Sequence, residues 1–170
     1  MISYVAFLRA VNVGGTGKLP MSDLVRLCVD AGLVNPRTYI ASGNIAFLSA
    51  ASEAEVRTAL EEKLAAFAGR PVGVIARGAA EIADVLSRNP FAHQPGNRVM
   101  ALFTDEALPE DPLARATGHA NEEIALGRRE LFIFYPDGMG RTRLRLAAEK
   151  QGTMRNMNTI AKMAALSSVV

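Results

Sequence analysis

The chain has no tryptophan, a single cysteine and only two histidines in 170 residues. The lone thiol, Cys28, excludes an intramolecular disulfide and a thiolate metal cluster within one chain. His93 and His119 have no cysteine or second histidine at ligand spacing, so no zinc site and no cofactor is implied. Long apolar runs are also missing: none approaches the ~18 residues of a membrane helix. The opening stretch Met1–Leu8 breaks at Arg9 and lacks a basic leader and a small-residue cleavage site, so it reads as a strand. A globular cytoplasmic protein without membrane attachment is expected.

Charge of one sign is scarce as well. A net charge of +2 is too small to argue by itself for a polyanionic partner. The charge is nevertheless uneven along the chain. Asp105 to Glu123 holds six acidic residues against Arg115, whereas Arg128 to Arg155 holds seven Lys/Arg against Glu130, Asp137 and Glu149. The reaction motifs are absent in turn. A Walker loop needs Gly-Lys-Ser/Thr, but Gly17-Lys18 is followed by Leu19 and position 12 is Asn. A dinucleotide fingerprint from Gly15 fails at Pro20. No Gly-x-Ser-x-Gly elbow occurs, and Cys28 falls on the apolar face of a helix, where a buried thiol is expected.

What the chain does contain is 49% apolar and 21% charged residues, enough for one domain or two lobes of ~80 residues each. Tyr4 to Val11 reads as a strand, and Pro20 opens a helix whose Leu24, Leu27, Cys28 and Ala31 share a face up to Gly32. Thr38–Ala41 and Ile45–Leu48 are short strands around a Ser42-Gly43-Asn44 turn. Ser52 and Glu55 form a capping-box pair, after which Val56, Leu60, Leu64 and Phe67 recur at helical spacing until Gly69 and Pro71. Val72 to Ala76 is extended again. The order β-α-β-β-α-β is that of a ferredoxin-like domain, an antiparallel sheet with helices on one face.

The second half has comparable material: a helix over 79–88, a strand over 98–104, a hairpin of 122–126 with 130–135, and helices over 141–150 and 156–166. The expected fold is therefore α+β, with two ferredoxin-like (α-β plait) lobes spanning residues 1–77 and 78–170.

Two polar clusters stand apart from the packing pattern. The first is Arg9-Ala10-Val11-Asn12-Val13-Gly14-Gly15 with Lys18, running from a strand into a glycine loop; the second is Arg155-Asn156-Met157-Asn158-Thr159. Glycines let a ligand approach the backbone, and N–H groups ahead of a helix with a nearby lysine suit an anion. Strand alternation puts Arg9 with Val5 and Phe7, on the sheet face expected to be open. A guanidinium fork, two amides and a hydroxyl in the second cluster have donors enough for a phosphate, a carboxylate or a base edge. Asn156 or Thr153 is equally an N-cap candidate for the last helix, and capping accounts for one residue rather than the whole cluster. Ser42 and Asn44 serve the turn, and the Ser42 hydroxyl is a further candidate donor.

Together, the stretches Tyr4–Gly15, Lys18–Met21, Arg37–Asn44, Asn89–Phe91, Tyr135–Gly138 and Arg155–Thr159 resemble the bacterial domain-of-unknown-function 1697 family. That resemblance implies two ferredoxin-like lobes and includes Arg9 in its pattern, but it transfers no reaction or substrate. The chain departs from the pattern at Met157, where the family usually has Trp, and in a shortened Gln151–Met154 segment.

The candidate ligand residues are therefore Arg9, Asn12, Gly14, Gly15, Lys18, Ser42, Asn44, Arg155, Asn156 and Asn158. The favoured role is a binding module for a phosphate-bearing ligand, a nucleotide or nucleic acid. RNA fits less well, because Asn44–Leu48 lacks the aromatic signature of an RNA-recognition strand. The alternatives are a small enzyme acting on an anionic metabolite and an interaction scaffold.

Overall fold

The computed structural model describes residues 1–13 and 17–170, and Gly14, Gly15 and Thr16 lie outside the described residues. The chain divides into two compact units, Met1–Ala83 with Lys162–Val170, and Asp84–Ala161. Beside the expected division at residue 77, the first unit runs on to Ala83 and takes in the end of the last helix.

In the first unit, β1 (Ile2–Leu8), α1 (Met21–Asp30), β2 (Val34–Tyr39), β3 (Asn44–Ser49), α2 (Glu53–Ala68) and β4 (Val74–Gly78) follow one another, and α3 (Ala79–Ser87) begins. The strands form a four-stranded antiparallel sheet in the order β2-β3-β1-β4, the ferredoxin-like arrangement. Tyr4, Ala6 and Leu8 on one face of β1 share a core with Leu24, Leu27 and Cys28 of α1 and Val56, Leu60 and Leu64 of α2. Each fully buried large aliphatic or aromatic side chain in it contributes roughly 1.5–3 kcal/mol.

Val5 and Phe7, on the opposite face, are also fully buried. The face on which Arg9 was expected to stand is therefore not open along β1, in keeping with a continuous apolar run rather than an alternating one. Arg9 follows the end of the strand, and its N–H donates to the Gly73 carbonyl at 2.9 Å.

α2 forms where its caps call for it. The Ser52 hydroxyl accepts from the Glu55 N–H, the Glu55 carboxylate accepts from the Ser52 N–H at 2.8 Å, and Gly69 closes the other end with φ 69°. The β2–β3 hairpin is longer-looped than a Ser42-Gly43-Asn44 turn: Tyr39 pairs with Asn44, and Asn44 is itself on the strand. Gly43 is needed in that loop. Its φ is +81°, and a Cβ there would stand 2.8 Å from Leu8 Cβ.

The second unit contains β5 (Val99–Phe103), β6 (Glu123–Leu126), β7 (Glu130–Phe134) and β8 (Thr153–Asn156), which leads into α4 (Met157–Ser167). Its sheet is again four-stranded and antiparallel, in the equivalent order β6-β7-β5-β8. The crossovers differ from those of the first unit. Residues 104–122 are irregular, and the helix expected over 141–150 is instead a pair of 3-10 turns, Met139–Arg141 and Ala147–Lys150, with an extended stretch between. Leu144 and Leu146 are both buried and Arg145 is exposed, the period of an extended chain. β8 was not expected as a strand. Met100, Leu102, Leu131, Ile133, Leu144 and Leu146 belong to one core, so the irregular crossover covers the sheet as a helix would.

Candidate functional site

Asn12 ties the two described flanks of the β1–α1 connection together. Its Nδ2 donates to the carbonyls of Leu19 and Ala41, both at 2.8 Å, and its Oδ1 accepts from the Leu19 N–H at 2.6 Å. Asn12 has φ 53° and Ala10 φ 50°, left-handed conformations that asparagine tolerates better than most residues. The side chain is therefore committed to shaping the loop, and what the loop presents is Lys18.

Lys18 is exposed and borders two adjoining clefts. The smaller, of 190 Å³, is walled by the apolar Val11, Leu64, Phe67 and Val72, with Arg70 at its margin. Phe67 was expected in the core of α2, but it is 41% exposed and forms part of this wall. The larger, of 690 Å³, reaches Pro20 and Met21 at the start of α1. Pro20 is the N-cap of that helix and gives it no side-chain cap, so the positive end of the helix lacks the usual acceptor. An apolar wall with an aromatic ring, a lysine and a helix N-terminus thus lie in sequence around Asn12 and Lys18.

The other candidates in this unit serve the backbone. Asn44 is fully buried, and its Nδ2 donates to the Tyr39 carbonyl at 2.8 Å and to the Ser42 hydroxyl at 2.9 Å. Arg9 lies with its methylenes over Gly73, where a Cβ would come within 3.0 Å of Arg9 Cδ. Gly14 and Gly15 fall outside the described residues.

Arg155, Asn156 and Asn158 belong to the second unit. Arg155 is a β8 residue rather than part of a helical turn; it is buried, and its Nη1 donates to Thr153 Oγ1 at 2.7 Å and to the Met154 carbonyl at 2.9 Å. Burial brings its guanidinium down to about 10. Asn156 Oδ1 accepts from the Thr159 N–H at 2.9 Å, a capping bond at the start of α4. Asn158 is exposed beside Gly96. Sequence order could not have joined Phe67 and Arg70 to Lys18, since the fold alone brings the end of α2 against the β1–α1 loop.

Nucleophilic chemistry gains no support from the thiol. Cys28 is fully buried, and burial pushes it up to about 12. Among the described residues no group of three or more His, Cys, Asp and Glu is placed to hold a metal ion. No described helix is long and apolar enough to cross a membrane.

Among the described residues, two antiparallel sheets of ferredoxin-like strand order with four α-helices define an α+β protein of two plait-type units. The chain belongs to the DUF1697 family, described as proteins of unknown function, whose model matches residues 1–132. The solved structure of the conserved bacterial protein SP0830 from Streptococcus pneumoniae is similar throughout, with a TM-score of 0.80, 23% identity and 99% of each chain covered. No curated protein sequence matches the chain.

Proposed function

We propose that this protein is a cytoplasmic binding module for a phosphate-bearing small molecule of the nucleotide class, seated around Lys18. The observation that carries the reading is that Lys18 borders both a cleft walled by Phe67 and a second cleft that reaches the start of α1, where Pro20 supplies no side-chain cap. A nucleotide has matching halves. Its base would lie against Phe67 and Leu64, while its phosphates would meet Lys18 and the first-turn N–H groups of α1. Asn12 supports this by holding Leu19, next to Lys18, before any ligand arrives, which lowers the ordering cost of binding.

The test is a thermal-shift and calorimetric titration of the full chain with AMP, ADP, ATP, adenosine and inorganic pyrophosphate. A rise in Tm with the nucleotides that Lys18→Ala removes supports the reading, and Phe67→Ser should weaken nucleotides while sparing pyrophosphate. Nucleotide binding that survives Lys18→Ala, or no shift with any nucleotide, rejects it.

A further inference from the structure

A separate cleft of 680 Å³ opens in the second unit, and no described residue of the two polar clusters lines it. It takes in Tyr135-Pro136-Asp137-Gly138, which the binding site around Lys18 does not use, and three arginines: Arg98, Arg141 and Arg143. Arg98 ends the 3-10 turn Gly96–Arg98, and Arg141 ends the turn Met139–Arg141. All three are exposed.

The backbone that carries them is held on both sides. Thr117 and Arg145 exchange N–H to carbonyl bonds of 3.0 and 2.9 Å. Gly118 lies so close to the Arg143 carbonyl that a Cβ would stand 2.1 Å from it. Thr142, between the two later arginines, donates its hydroxyl to Glu122 Oε1 at 2.5 Å. Gly138, at φ 79°, turns the chain out of Pro136-Asp137 into the 3-10 segment.

The cleft's two carboxylates are hydrogen-bonded to neighbours in its own walls. Glu122 accepts from Thr142 and from the Ala120 N–H, and Asp137 accepts from Asn121 Nδ2 at 2.9 Å. Arg98 donates to the Pro136 carbonyl at 2.5 Å, and Arg141 and Arg143 form no ion pair among the described residues. Three exposed arginines line one concave surface, and guanidinium forks match the oxygens of a phosphate group, while the Asn121–Asp137 pair in the same cleft suits hydroxyl groups.

We propose that the cleft around Arg98, Arg141 and Arg143 is a second, independent binding site, for a small phosphate ester that carries hydroxyl groups. The phosphate lies between the guanidiniums and the hydroxyls face Asn121 and Asp137. A concave site with polar groups on two walls suits a small molecule better than an extended polyanion.

The full chain is titrated by calorimetry with inorganic phosphate, glycerol 3-phosphate, ribose 5-phosphate, glucose 6-phosphate and unphosphorylated glucose. Wild type is compared with Arg141→Gln, Arg143→Gln, Arg143→Lys, Asn121→Ala and Lys18→Ala, each checked for an unchanged circular dichroism melt. The expected result is saturable binding of at least one sugar or polyol phosphate, tighter than inorganic phosphate. Each Arg→Gln change should raise its Kd roughly tenfold or more. Arg143→Lys should fall between Arg143→Gln and wild type, Asn121→Ala should erase the advantage over inorganic phosphate, and Lys18→Ala should leave the arginine-dependent binding in place.

Binding abolished by Lys18→Ala and untouched by the arginine changes would move the site to the first unit and overturn the proposal. So would absence of saturable binding by every phosphate ester, or binding of an RNA oligonucleotide that the esters do not displace. Because Lys18 and the arginines lie in different units, failure here leaves the nucleotide reading intact, and the reverse also holds.

Discussion

Asn12 grips Leu19 through both polar atoms of its side chain, accepting from the Leu19 N–H at 2.6 Å and donating to the Leu19 carbonyl at 2.8 Å. A third bond, to the Ala41 carbonyl, ties the same amide to the β2–β3 loop. The residue thus joins two loops and sets where Lys18 stands.

Asn12→Ala removes all three bonds and places a residue less tolerant of positive φ at 53°. It should cost roughly 2–3 kcal/mol of stability, at about 1 kcal/mol for each lost bond. Asn12→Gly relieves the backbone but not the bonds, so it should fall between the alanine variant and wild type. Urea unfolding of the three proteins decides this; equal midpoints would mean that the loop holds its shape without the amide.

Glu130 is fully buried, with Arg88 Nη2 at 2.8 Å from its Oε1 and the N–H of Arg129 at 3.1 Å from its Oε2. Its carboxylate therefore organises the β6–β7 turn as well as pairing with a cation. Glu130→Gln leaves Arg88 with Asp84, whose Oδ2 lies 2.7 Å from its Nε, as the remaining counter-charge, and should destabilise by about 1–3 kcal/mol. The double change Arg88→Met with Glu130→Met removes both charges and should recover much of that loss. A double variant as unstable as the single would show that the turn, rather than the charge pair, depends on the carboxylate.

The parts of the fold legible in sequence were those with local causes. Ser52, Glu55 and Gly69 bound α2 because each satisfies or ends the helix through its own neighbours. β8 had no such signal: Thr153–Asn156 is polar, and it is a strand because Ala101 and Leu102 of β5 pair with Arg155 and Met154. The 141–150 segment reads as helix by composition, yet Leu144 and Leu146 are both turned inward by an extended backbone that Thr117 bridges. The same divide applies to the sites. Donor-rich strings can be seen in sequence, but whether a donor is already spent cannot. Asn12, Asn44, Asn156 and Arg155 all bond within their own unit. Phe67 and Arg70 border the Lys18 cleft only through tertiary packing.

Cys28 gives a direct probe of unfolding. Burial pushes its thiol up to about 12, and the side chain is fully enclosed in the α1 core. Only the thiolate reacts readily with disulfide reagents, so labelling at about pH 8 should be slow in the folded protein and should rise with urea along the unfolding transition. Fast stoichiometric labelling without denaturant would show that α1 opens locally far below the global transition.

Glu122 should make stability depend on pH through Thr142. The Thr142 hydroxyl, donating at 2.5 Å, holds the Glu122 carboxyl below its ordinary value against the opposing effect of burial, and the Ala120 N–H adds to the lowering. A carboxyl whose folded value lies below its unfolded one stabilises the fold fully above the unfolded value, about 4.3, and loses that contribution as pH falls through the folded value. Thr142→Val removes the strongest of these interactions. The variant should therefore be less stable than wild type at neutral pH, and the gap should narrow as pH falls below about 4. A constant part of the gap will remain, because Thr142 Oγ1 also accepts from the Leu144 N–H at 3.1 Å and that bond does not titrate. Denaturant unfolding of both proteins across this range separates the two parts: a gap independent of pH would assign the whole effect to Leu144 and none to the Glu122 charge.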